Sequence, residues 1–180
     1  MRLELRPESI VRVDLRSTGL LQSIAHNPTL TAHPEPFVVE LGATDPIDVA
    51  TDVRFPAAGV EPPGDMSAAD RERMRDNVLG RDVLDAARFP AVELHGRYVG
   101  NIDGGTLSGD LRVRGAPRPI SMAVRVERAG DRLVARGTWE GRLTDLGIKP
   151  FRALLGAIRL EDWVRLRLEA VFSTTSGSPR

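Results

Sequence analysis

Along residues 106–127, TLSGDLRVRGAPRPISMAVRVE, apolar and polar positions alternate. Leu107, Gly109, Leu111 and Val113 stand against Ser108, Asp110, Arg112 and Arg114. After a break at Gly115, Ala116 and Pro117 the alternation resumes as Ile120, Met122, Val124 and Val126. A two-residue period on both sides of a Gly/Pro break predicts two antiparallel strands, each with one dry and one wet face. The wet face is charged, as on the outside of a barrel or sandwich. What the dry face encloses becomes the functional question.

The same period recurs along the chain. Val11, Val13 and Leu15 alternate with Arg12, Asp14 and Arg16; a turn at 17–19 leads into a second apolar run through Leu20, Leu21 and Ile24. His26-Asn27-Pro28 breaks that run before Leu30. Residues 37–41 and 47–55 read as two further strands joined at Asp45-Pro46, with Pro34, Pro36, Pro46 and Pro56 near strand ends, where a missing N–H costs little. Val92, Leu94 and Tyr98 oppose Glu93, His95 and Arg97, and 101–105 is a hairpin turn. Leu133, Ala135, Gly137 and Trp139 form the next strand, ending near Leu143. A partly apolar loop or helical turn is expected over 151–158. The last strand, 164–172, places Val164, Leu166, Leu168, Ala170 and Phe172 on one face.

One region changes period. Ser67 and Asp70 make a helix N-terminal capping pair, Met74 and Val78 share a face, and Gly80 ends the helix. A further helical turn is expected over 82–87, stopped at Phe89-Pro90. About eight alternating strands with one short helical excursion predict an all-β antiparallel barrel, with an immunoglobulin-like sandwich as the rival. Residues 1–172 are read as a single domain and 173–180 as a flexible polar tail.

Composition narrows the function classes. The chain of 180 residues carries no formal net charge, which gives no electrostatic argument for nucleic acid or an anionic membrane as partner. Lys149 is the single lysine, and cysteine is absent, which excludes disulfides and thiol chemistry. The opening MRLELRPESI has no long apolar run, so neither a signal peptide nor an anchor is read there; a cytoplasmic location without stable membrane insertion is expected.

Three motifs in order resemble the YceI-like family. Val83-Leu84-Asp85 with Phe89-Pro90 matches the family's helix-to-strand element. Gly109, Leu111, Arg114, Gly115, Pro119 and Ile120 match its hairpin, and Asp145, Gly147 and Ile148 match the stretch before its final strand. The resemblance covers roughly 76–172. It implies a lipocalin-like antiparallel barrel holding a long apolar molecule, such as an isoprenoid, quinone or fatty-acyl lipid, with no other cofactor. Many members are periplasmic and dimers occur, so a homodimer is also an expectation. The chain departs from the family in lacking a visible signal peptide and in carrying His26-Asn27-Pro28 where many members have a glycine-containing strand.

The candidate ligand wall is Leu107, Leu111, Val113, Ile120, Met122, Val124, Leu133, Trp139, Leu166 and Leu168. His26, Tyr98, Phe151 and Trp163 are candidates for the mouth and head-group contacts. Gly109, Gly137 and Gly141 on the inward face leave space for a cavity or permit the barrel to bend. The alternative is that the same apolar residues pack solidly and function lies on the surface. A hydrolase or isomerase using the pocket is a third reading. No G-x-S-x-G elbow, G-x-G-x-x-G loop or Walker loop is present, and three histidines without ligand spacing give no metal site. An Asp14–His26–serine triad has no support from spacing. Arg112, Arg114 and Arg118 read as a solvated barrel wall.

Overall fold

The computed structural model describes residues 1–18, 27–43, 45–153 and 158–175. Among the described residues, eleven strands form one curled antiparallel sheet: β1 (Arg2–Leu5), β2 (Ile10–Thr18), β3 (Thr29–Ala32), β4 (Val38–Glu40), β5 (Ile47–Pro56), β6 (Ala91–Gly100), β7 (Gly104–Val113), β8 (Ala116–Ala129), β9 (Arg132–Gly141), β10 (Arg152–Ala153) and β11 (Ile158–Thr175). The helix α1 (Ala68–Leu79) lies between β5 and β6.

Strands β5 to β9 form a meander, and β9 pairs with β11. Beyond β11 the chain is interrupted twice. β1 and β2 follow one another along the same edge of β11, and β4 and β3 follow one another along β1 and β2. The buried Ser9 holds the first interruption: its hydroxyl accepts from the Val171 amide (3.0 Å) and donates to the Val171 carbonyl (3.3 Å). Counted across the sheet, eight strand positions result, as expected for an antiparallel barrel.

The sheet curls until its two edges meet at a seam without a ladder. Among the described residues, Thr31 and Glu61 exchange backbone hydrogen bonds of 2.9 and 2.8 Å, and the Glu35 amide donates to the Arg54 carbonyl at 2.8 Å. An Arg54–Glu35 ion pair at 2.8 Å reinforces the second contact. Pro34 and Pro36 flank Glu35 and have no N–H to give, so a continuous ladder cannot form there.

The inward positions of β6, β7 and β8 form the buried core: Leu94, Leu107, Leu111, Val113, Ile120, Met122 and Val124, joined by Leu143, Leu146 and Val164. The turn between β7 and β8 puts Arg114 (φ 52°) and Gly115 (φ 74°) in left-handed conformations, the two-residue turn whose twist suits a hairpin.

Several expectations are corrected. Residues 82–87 form turns, because Asp85 takes φ 48°, which ends any helix. Its amide binds the Gly80 carbonyl (2.8 Å) and its carbonyl accepts from Arg88 and Phe89 (2.9 Å each). The strand β11 runs three residues into the expected tail, because Ser173, Thr174 and Thr175 pair with β1. Of the loop or helical turn expected over 151–158, residues 152–153 pair with 158–159 as a short strand, and 154–157 lie outside the described residues. The expected apolar run 20–24 lies outside the described residues.

Candidate functional site

The dry faces do not close on one another. At the end covered by α1 they enclose a chamber of about 800 Å³. Val11, Val13 and Leu15 of β2, Leu111 and Val113 of β7, Ile120 and Met122 of β8, and Leu166 of β11 form its walls. Met74 and Val78 of α1 face it from above. A second chamber of about 150 Å³ lies toward the opposite end, between Leu3 and Leu5 of β1, Val39 of β4, Ile47 and Val49 of β5, and Phe172 of β11. Phe55, Leu94, Leu107 and Leu168 line both chambers and so form a waist between them.

Hollowness of this kind is costly to a fold. Cavities sealed inside a core destabilise by about 24 cal/mol per Å³. The large chamber falls within the range of about 300–1,000 Å³ typical of small-molecule sites.

The cover over the large chamber is weakly held. Ser67 caps α1, its hydroxyl accepting from the Asp70 amide at 3.2 Å, yet no residue of the helix is buried. An Arg75 guanidinium donates to the Ala58 carbonyl beneath it. Helices normally dock through an apolar face; this one, AADRERMRDNVL, offers little more than Met74, Val78 and Leu79.

The family model of the YceI-like domain matches residues 31–172. The chain belongs to the YceI-like family. Two solved structures similar to it are Burkholderia cenocepacia BcnA, at 14% identity and TM-score 0.62, and the Campylobacter jejuni YCEI protein, at 13% and 0.57. The first match covers 89% of this chain and 95% of BcnA; the second covers 82% of each chain. No curated relative matches the sequence.

In this YceI-like barrel, Leu111, Val113, Ile120, Met122 and Leu166 line the large chamber, Val124 and Leu133 the small one, and Leu107 and Leu168 the waist. Trp139 lines neither chamber. It points inward but packs against the core and lies over Gly141, filling the space a side chain there would take. Trp163 is on the outer wall, not at a mouth: Arg16 stacks on its ring at 3.7 Å and Arg165 sits 5.2 Å from its centroid. Phe151 lines the large chamber at an exposed position. Tyr98 lines the small chamber at the far end, where its hydroxyl donates to the Asn101 carbonyl at 2.7 Å. Burial, and then the nearby Asp103 carboxylate, push its phenol above the usual tyrosine range. His26 lies outside the described residues.

The inward glycines do not hollow the barrel. A Cβ on Gly109 would strike the β6 backbone, 2.6 Å from the Gly96 Cα. The cross-strand pair Gly96–Gly109 therefore lets β6 and β7 bend together. The space at Gly137 is taken by Met122, whose Sδ stands 2.9 Å from where a Cβ would lie.

Other polar candidates serve the wall. Asp14 accepts two hydrogen bonds from Arg167 (2.6 and 2.7 Å) and one from the Thr29 hydroxyl (2.8 Å). His33 Nδ1 lies 3.1 Å from the Ser9 carbonyl and His95 Nδ1 lies 2.8 Å from Asp52. Among the described residues there is no group of acids and histidines able to hold a metal, and no helix long and apolar enough to cross a membrane.

Sequence reasoning overlooked most of one wall. Ile47, Val49, Thr51, Val53 and Phe55 of β5 all face the lumen, and their alternation with Asp48, Ala50, Asp52 and Arg54 was the signal available to find them.

Proposed function

We propose that this protein is a non-enzymatic carrier that holds one long apolar molecule, an isoprenoid, quinone or fatty-acyl lipid, in the barrel lumen. The observation that carries this reading is a pair of apolar chambers, one under α1 and one toward the opposite end, that share Phe55, Leu94, Leu107 and Leu168 as common walls. With strands of ten residues rising about 3.3 Å each and tilted by roughly 35–45°, the lumen is some 25 Å tall, which suits an extended chain better than a compact ring system. Removing ~200 Å² of apolar ligand surface from water would contribute about 5 kcal/mol. The mechanism is sequestration: the walls exclude water, and loosely attached α1 provides the place of entry.

The test is a titration with cis-parinaric acid, a fluorescent polyene, followed by displacement with a polyprenol, a ubiquinone and a fatty acid. Saturable binding is expected, with displacement by at least one of these lipids. Met122→Trp, which puts an indole into the large chamber, weakens binding by about tenfold or more. Absence of saturable binding, or binding unchanged by Met122→Trp, contradicts the lumen reading and favours an interaction module acting through its surface.

A further inference from the structure

The two chambers differ in chemistry as well as in size. Among the described residues, four charged side chains line the large chamber, Asp65, Asp70, Arg73 and Lys149, and none lines the small one. Asp70 and Arg73 approach each other at 3.6 Å, whereas Lys149 has no carboxylate partner among the described residues. Two polar oxygens of the small chamber are already engaged. The Tyr98 hydroxyl donates to the Asn101 carbonyl at 2.7 Å, and Asn101 Oδ1 accepts from the Asp103 and Gly104 amides at 2.9 and 3.1 Å. Thr51 turns its methyl toward Gly96, lying 3.4 Å from where a Cβ on that glycine would be.

A polar head driven into the small chamber would find no charged partner among the described residues, while a methylene chain there gains from burial. At the α1 end a head group meets both charge and solvent. Resting on the lumen-binding reading, we infer that the ligand lies with its polar end under α1 and its tail through the waist, ending in the small chamber. That chamber is then the ruler of the site: its end wall limits the length of chain the barrel accepts. Val49 is the residue to test, because it lines the small chamber alone and stands opposite Tyr98 in the β5–β6 ladder.

The experiment displaces cis-parinaric acid from the full chain with linear saturated acids from dodecanoic to docosanoic. In the unaltered protein, affinity climbs by about fourfold per methylene, the effect of burying one such group, until the tail meets the end wall. In Val49→Phe the climb stops several carbons earlier, so that the longest acids lose about tenfold or more relative to the shortest. Leu107→Phe, which narrows the waist, gives the same early stop and serves if Val49→Phe does not fold; melting curves establish which variants are folded. A length profile that tracks the unaltered protein in the folded variants overturns the ruler while leaving lumen binding intact. If no acid and no polyene binds any form, the lumen reading falls and the ruler with it.

Discussion

Met122 lays its sulfur into the space left by Gly137 on the next strand, where a Cβ would stand 2.9 Å from Sδ. One residue widens the position and the other fills it, so the pair sets how far the β8–β9 wall intrudes on the large chamber. Gly137→Ala must displace the thioether, and the Ala123 carbonyl at 3.1 Å and Val124 Cγ2 at 3.3 Å leave the new methyl little room. The expected outcome is a loss of about 1–3 kcal/mol in chemical denaturation together with weaker polyene binding, since Met122 is pushed toward the lumen. Unchanged stability and affinity would show that this wall has slack.

On the outer wall, Asp14 ties β11 to β2 and β3 through Arg167 and Thr29. Its carboxyl is held below the usual carboxylate range, first by hydrogen bonding from Arg167, against the opposing effect of burial. A depressed pKa in the folded state contributes stability that is present above the unfolded value near pH 4 and is lost as pH falls through the folded value. Asp14→Asn should therefore lose about 1–3 kcal/mol at neutral pH and lose less than the unaltered protein on acidification below about pH 4. Urea melts across pH check this; parallel acid limbs in the two proteins contradict it.

The weak attachment of α1 predicts its dynamics. With no buried residue in the helix, its amides should exchange through local openings well below the global unfolding free energy. Amides of β7 and β8, which frame the core, should exchange last. Hydrogen exchange read by mass spectrometry separates the two, and equal protection of α1 and β7 contradicts a loosely held cover.

Trp163 offers a control. Clasped by Arg16 and Arg165 outside the barrel, it should not affect lipid binding. Trp163→Ala is expected to lower stability by about 1 kcal/mol through lost cation–π and packing contacts while leaving polyene affinity within about twofold. A large affinity loss would place the ring at a mouth after all.

Where one face is dry and the other wet, the barrel was legible as alternation; the hairpin β7–β8 is the clearest case, and its pattern gave Leu111, Ile120 and Met122 as wall residues. Shorter strands were not legible. β1 contributes only Leu3 and Leu5 to the dry face, too few to show a period, and β11 extends to Thr175 because those residues pair there. Aspartate tolerates a left-handed backbone better than most residues, but nothing in the 82–87 run marks Asp85 as the position that takes it. Trp163 is different: its parity with Arg165 and Arg167 on the last strand already pointed outward, and its place at the start of that strand drew it to the mouth candidates. Trp139 follows the alternation correctly but folds back over Gly141, a contact between same-face neighbours that spacing alone does not reveal.

The central claim, that the lumen is occupied by a long apolar molecule, is tested most directly by native mass spectrometry of the freshly purified protein with no lipid added. The account predicts a discrete adduct of one lipid per chain, released on organic extraction and recovered in the extract as a long-chain isoprenoid, quinone or acyl compound. Bare polypeptide mass alone, with no lipid in the extract and no uptake when such lipids are supplied, contradicts it.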